Sequence, residues 1–334
     1  MGEGPWSEGV EREAVYLSGA VSSFELAATI LERLGQIHIS EPSVWRRSQE
    51  AGRKFQRVEE EEGVRATAMP TQGEAPSRVP KKKQRMGASM DGVIIHIRKE
   101  GWKETKIGVV FEIEVLASQD KETGEMMRLA HAAHNSYVAH LGGPEKVGEK
   151  LWTEAHRRQW EQAWDTIVVG DGATWIWNQA ALHFSQSQQV VDWYHAKEHL
   201  LAAARLVKPD GGSAHTRWVN SRETLLYQGH ADKIADELEK TAHKCGVNSD
   251  RLLAEAGYFR SNHKRMNYIE LREEEWPIGS GMVESGAKQF KARFSGPGMR
   301  WSRTGAENLL PIRAAVLSGR FDQIWAASKN LPPT

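Results

Sequence analysis

The chain has a single cysteine, Cys245, in 334 residues, so it can form neither an internal disulfide nor a cysteine-based zinc cluster. It also lacks net charge: 44 Lys and Arg balance 44 Asp and Glu, which argues against nucleic-acid binding through bulk charge alone. No apolar run approaches the roughly 18 residues that a bilayer-spanning helix needs. The N-terminal stretch MGEGPWSEGVERE has no apolar centre of the kind a signal peptide carries. Together these absences predict a cytoplasmic protein with no membrane partner. What is present suits a soluble, globular protein of two or three domains, with 40% hydrophobic and 26% charged residues.

The balanced charge is segregated along the chain. From Glu284 to Arg320 there are seven Lys and Arg against two acids, while acids gather in Glu59–Glu62 and Glu270–Glu275. The stretch PIGSGMVESGAKQFKARFSGPGMRW, from Pro277 to Trp301, sets Glu284 among glycines and follows it with Lys288, Lys291, Arg293 and Arg300. A carboxylate beside basic, glycine-rich chain suits work on phosphate esters, where the acid holds a divalent metal and the cations hold the polyanion. One acid does not make such a site, and two candidates stand upstream: Asp91 in SMDGVIIHIR and Asp171 in TIVVGDGATWIW.

Residues 22–56 read as two helices. Leu26, Ile30, Leu31 and Leu34 recur at helical spacing, Gly35 is a stop, and Ser40 can cap a second helix that carries Arg46, Arg47 and Arg53. A DNA-binding helix-turn-helix and a hairpin for packing both fit this pattern. Residues 57–89 read as a linker: an EEEEG charge run, Pro70, Pro76 and Pro80, then the basic Lys81–Arg85 cluster. From Met90 the pattern turns to strands. DGVIIHIR pairs with KETKIGVVFEIEVL as a hairpin, and Met127–His140 supplies a third strand. A helix over Pro144–Trp164, the strand TIVVGD, a helix over Ala173–His183, the strand QQVVDW and a helix over His195–Val207 follow. Three meandering strands and then alternating helix and strand is the order of a ribonuclease-H-like α/β domain. The expected organisation is a small helical N-terminal region over 1–56 and a linker over 57–89. The first part of the core then spans 90–212, a helical insertion 213–275, and the rest of the core, with the third acid, 276–334.

In that arrangement Asp91 starts the first strand, Asp171 ends a short buried strand, and Glu284 begins a late helix. Open α/β sheets place their ligand sites at such strand ends. Three distant acids can therefore converge on one edge, where hard carboxylate oxygens suit Mg²⁺ or Mn²⁺. Asp-Gly pairs are also common turn formers, so each acid read singly has a plain structural alternative.

The segments MDGVIIHIRKEGWKETKIGVVFEIE, VVGDGATWIWN, VVDWYHAKEHL and PIGSGMVESGAKQFKARFSGPGMRWS resemble, in order, the signatures of ISKra-type bacterial insertion-sequence transposases. These are DDE enzymes related to the Mutator-like group, and the resemblance runs from about Phe24 to Trp325. It implies a ribonuclease-H-like core interrupted by a helical insertion, and Mg²⁺-dependent (or Mn²⁺-dependent) cutting and joining of DNA. Asp91, Asp171 and Glu284 match the three metal-binding acids, and Asp192 and His195 match a supporting Asp-x-x-His element. Lys288, Lys291, Arg293, Arg300 and Arg303 would then grip DNA backbone phosphates, and Trp175, Trp193 or Trp301 would stack on an unpaired base or pack in the core. Chemistry on paired transposon ends implies a homodimer or higher assembly on DNA and a nucleoid-associated location.

Two competing expectations remain. Such transposases often carry an N-terminal cysteine zinc element, which one cysteine cannot build, so a catalytically inactive DNA-binding remnant is one alternative. His195 and His199 stand four apart on an expected helix, so a zinc hydrolase is the other. The order HAKEH lacks the base placement of a metalloprotease helix, and His199 reads better as a structural residue.

Overall fold

The computed structural model describes residues 6–67, 84–119, 124, 126–244 and 248–332. It opens with three helices, α1 (Glu8–Ala20), α2 (Phe24–Gly35) and α3 (Glu41–Thr67). The Ser23 hydroxyl caps α2 by accepting from Leu26 N at 3.0 Å, and Gln36, at φ 51°, ends it in a left-handed turn just past Gly35. The strands β1 (Arg85–Ile97), β2 (Gly101–Gln119) and β3 (Met126–Leu141) come next, followed by α4 (Pro144–Arg157). Then β4 (Asp165–Gly170), α5 (Thr174–His183), β5 (Gln188–Val191) and α6 (Trp193–Val207) alternate. The helices α7 (Gly212–Tyr227), α8 (Ala231–Ala242), α9 (Ser249–Asn262) and α10 (Tyr268–Glu273) lead to α11 (Gly281–Phe294), α12 (Arg303–Leu317) and α13 (Phe321–Lys329). No strand interrupts α7–α10 among the described residues, as the polar, strand-poor sequence there predicts.

The strands form one mixed α/β sheet in the order β3-β2-β1-β4-β5. The pairs β3–β2 and β2–β1 are antiparallel, and β1–β4 and β4–β5 are parallel. Side chains alternate across a strand, so β1 feeds two cores. Met86, Ala88 and Met90 face α4, α5, α6 and the α7–α10 helices. Val93, Ile95 and Ile97 face α1–α3 and α11–α13. Asp91 has the same parity as the second set, so it points to the face covered by α11. β4 pairs with β1 only as far as Ser89, which leaves Asp91 just past the last rung of the parallel pair.

The linker expected over 57–89 is corrected at both ends. Residues 57–67 continue α3, because Val58 and Ala66 are buried and the acidic run meets basic partners. Lys150 Nζ lies 2.6 Å from Glu59, and Arg320 Nη2 lies 2.7 Å from Glu62. A glutamate run that looked like a solvated tether is a helix face with cations opposite. At the other end, 85–89 are already strand, registered against Asp165–Val169 of β4. Pro70, Pro76, Pro80 and Lys81–Lys83 lie outside the described residues.

The N-terminal hairpin is part of the body. α1, α2 and α3 share a hydrophobic core with α11, α12 and the sheet, and Gln49 and Gln56 of α3 bond to the start of α12. Both features support the packing reading of the hairpin. The α3–α12 contact is so close that a Cβ on Gly52 would sit 2.0 Å from the backbone oxygen of Asn308. Backbone cannot move aside as a flexible side chain does, so the helices must part. Gly52→Ala is expected to destabilise the fold by about 1–3 kcal/mol. A denaturant midpoint equal to wild type would contradict this packing.

Candidate functional site

Three acids stand at or just before helix starts, two of them where a strand hands over to a helix. Asp171 follows β4, and its Oδ1 accepts the Ala173 amide at 2.7 Å, folding the carboxylate back over the turn into α5. Asp192 follows β5 and caps α6, with its Oδ1 accepting the His195 amide at 2.8 Å. Glu284 lies in the first turn of α11, where the Ser280 hydroxyl donates to its Oε1 at 3.2 Å. Backbone amides at helix starts favour negative charge, so each carboxylate sits where the chain's own dipoles stabilise it.

Asp192 joins these elements. Its side chain is fully buried, and its second oxygen accepts the backbone amide of Ser280, at the entry to α11. Its own amide donates to Gly170 O at 2.7 Å, and the Trp193 amide donates to Ile278 O at 2.8 Å. Burial alone would push this carboxyl up. The His195 side chain, then the amides of His195 and Ser280, outweigh burial and hold it below the usual range.

His195 is the cation of the cluster. Its Nδ1 lies 3.3 Å from Asp192 Oδ1, an ion-pair contact without the alignment of a hydrogen bond. Asp192 first, against the opposing effect of burial, and then Asp171 raise its pKa to about 9, so the ring is charged at neutral pH. The Asp91 carboxyl, unlike that of Asp192, is shifted up. Burial pushes it up, its contact with the Gly92 amide opposes this, and the like charges of Asp171 and Glu284 add to the rise. Asp91 therefore feels both of the other predicted acids and the His195 cation at once.

Asp91 is thus an electrostatic neighbour of Asp171 and of Glu284, but the three acids do not bring their ligand atoms within 4.8 Å of one another. Among the described residues, the one set of three whose ligand atoms all lie within 4.8 Å of one another is Asp192, His195 and Glu284. Asp192 is committed to two backbone amides, which leaves Glu284 and the ring as the freer members. His199 is elsewhere engaged: its Nδ1 is 2.7 Å from Glu255, and its ring stacks on Tyr258 at 3.5 Å.

Several expected DNA contacts need correction. Arg293 is 1% exposed. It donates to Ser18 O at 2.9 Å and Ser22 O at 3.3 Å, and lies over the rings of Phe24 and Trp301. Burial and the nearby Arg313 pull its pKa down to about 10, so it remains a cation, but one that ties α11 to α1 and faces no solvent. Arg303 is half-exposed yet paired, with Glu100 at 2.5 Å and Glu307 at 3.4 Å. Lys288, Lys291 and Arg300 are exposed. Arg300 lines a cleft of about 350 Å³ with Trp45, Arg98 and Trp301. Trp193 and Trp301 are buried core residues, which removes them as stacking platforms, whereas Trp175 is half-buried under the Lys106 ammonium at 4.1 Å.

Ser280 was missed in the sequence, although a serine four residues before Glu284 at a helix start was a visible signal. The contacts that Tyr258 and Asn262 make with the Asp171 turn had no such signal, because they come from 87 and 90 residues away. Scans against protein-family models and against curated proteins return no match to this chain.

The His195 shift fixes the sign of a pH effect. A histidine raised from 6.5 to about 9 contributes stability that is fully present below pH 6.5 and is lost as pH rises through 9. His195→Gln is expected to flatten the stability profile across that window. A wild-type profile that is already level there would contradict the pairing with Asp192.

Proposed function

We propose that this chain is a DDE-type DNA transposase that cleaves a phosphodiester at a transposon end and joins the freed 3′-hydroxyl to target DNA. The observation that supports the reading is that Asp91, on β1, feels the charge of both Asp171, just past β4, and Glu284, in the first turn of α11, three residues from distant parts of the chain. The strand order β3-β2-β1-β4-β5, three antiparallel strands and then two parallel, supports a ribonuclease-H-like core, and α7–α10 fit a helical insertion.

The donor set fits a hard divalent cation. Carboxylates predominate, and the Asp91 carboxyl is raised first by burial and then by the charges of Asp171 and Glu284, a penalty on its ionised form that a cation would relieve. Mg²⁺ or Mn²⁺ on Asp91, Asp171 and Glu284 would supply Lewis-acid activation of the attacking hydroxyl and neutralise charge on the phosphate. The protein groups do the rest. Asp192 holds α11 so that Glu284 faces the edge, and the His195 cation, 34% exposed, is available to a phosphate oxygen. The exposed Lys288, Lys291 and Arg300 are the backbone-gripping cations, a smaller set than the sequence suggested. DNA held in this way is bound largely by charge, and the assembly on paired ends would be a dimer or higher. A zinc hydrolase built on His195 and His199 finds no support, because Glu255 and Tyr258 engage His199.

Asp91→Asn, Asp171→Asn and Glu284→Gln are each expected to abolish strand cleavage of an end-sequence duplex while leaving DNA binding largely intact. Full cleavage by any one of them would remove that acid from the site. A wild-type protein that binds the duplex but never cuts it, with Mn²⁺ present, would favour an inactive remnant. Lys291→Ala should weaken DNA binding and reduce the slope of log affinity against log salt by about 1. An unchanged slope would exclude a phosphate contact there.

A further inference from the structure

The turn that carries Asp171 is gripped from outside the sheet. The Tyr258 hydroxyl, on α9, donates to the backbone carbonyl of Asp171 at 2.8 Å. One turn further along α9, Asn262 Nδ2 donates to the carbonyl of Gly172 at 3.2 Å. Asn262 is 2% exposed, and its Oδ1 accepts Trp177 Nε1 at 2.8 Å from α5, the helix into which the turn runs. Gly172 adopts φ +104°, and a Cβ there would lie 2.5 Å from the Tyr258 ring, so the tyrosine fills the space that any side chain would take. The ring itself is also held. His199 stacks on it at 3.5 Å with the planes 17° apart, and Glu255 fixes His199. Both carbonyls of the turn thus point to α9, and the Asp171 carboxylate folds back onto the Ala173 amide through one oxygen only.

We infer that Tyr258, seconded by Asn262, is a positioning residue for Asp171, through which α9 fixes the direction of that carboxylate toward its metal. The inference rests on the metal-site reading proposed above and extends it to the helical segment, which becomes a working part of the site. Metal affinity depends on such outer partners because a carboxylate free to swing must be ordered each time the ion binds.

Tyr258→Phe tests this cleanly, since it keeps the ring, the stack on His199 and the packing against Gly172 and deletes one donor. Tyr268→Phe is the control: its hydroxyl is buried in the same core without a hydrogen-bond partner among the described residues. Amide hydrogen exchange at Ala173 is measured in metal-free protein, and Mn²⁺ binding is measured by titration. The expected result is several-fold faster exchange at Ala173 and about a 10-fold weaker Mn²⁺ affinity in Tyr258→Phe, with neither changed in Tyr268→Phe. Unchanged exchange overturns the clamp even if Mn²⁺ binds normally, and faster exchange at unchanged affinity overturns the positioning role. A wild-type protein that binds no Mn²⁺ sinks the metal reading itself, which the exchange measurement separates from failure of the clamp.

Discussion

A single buried carboxylate sets the geometry of this protein's candidate site. Asp192 is wholly removed from solvent, and such a charge costs several kcal/mol unless it is fully hydrogen-bonded or paired. The compensation comes from two elements that are distant in sequence: the start of α6 through the His195 amide, and the entry to α11 through the Ser280 amide, 88 residues later. Among the described residues both amides give their hydrogen bond to Asp192, as suits helix starts where intrahelical partners are missing. Satisfying Asp192 therefore fixes where α11 begins. Glu284, one turn further on, and its Ser280 hydrogen bond follow from that placement. The same carboxylate keeps His195 charged, so one interaction sets both the position of the third acid and the cation beside it.

The electrostatics of the edge form a balance rather than a simple sum. Asp91 is pushed up by burial and by its acidic neighbours, while Asp192, although more deeply enclosed, is held down by its donors. The difference lies in hydrogen bonding: among the described residues, Asp192 has two backbone amides from other residues, and Asp91 has only the amide of Gly92, its chain neighbour. Asp91 is thus the under-compensated member, and under-compensated carboxylates beside other carboxylates are where a cation gains most. The helical segment then adds rigidity to the second acid, by way of the carbonyls of its turn.

Much of this was legible in the sequence, for physical reasons. The strands from Met90 onward were legible as β-rich apolar runs because the sheet is covered on both faces. Asp91, Asp171 and Glu284 stood out because each interrupts an apolar or glycine-rich run. The first half of the expected linker misled because a charge run reads as solvated when its partners, Lys150 and Arg320, lie far along the chain. Arg293 misled for the complementary reason. It sits in a basic run with Lys288 and Lys291, but helical spacing turns it inward against Phe24 and Trp301, which composition alone cannot reveal. Trp193 and Trp301 followed the same course, their nearness in sequence to acids and cations being outweighed by burial. The grip of α9 on the Asp171 turn was out of reach, since a single tyrosine in a helical stretch carries no mark of what it will meet.

The central claim is that Asp91, Asp171 and Glu284 form one metal site, with Asp192 and His195 as its supports. Diffraction from crystals grown with Mn²⁺, collected at the manganese absorption edge, tests it most directly. The account predicts anomalous density in contact with carboxylate oxygens of Asp91, Asp171 and Glu284. Density held by His195 and Asp192 away from Asp91 and Asp171, or none at this edge of the sheet, would contradict it.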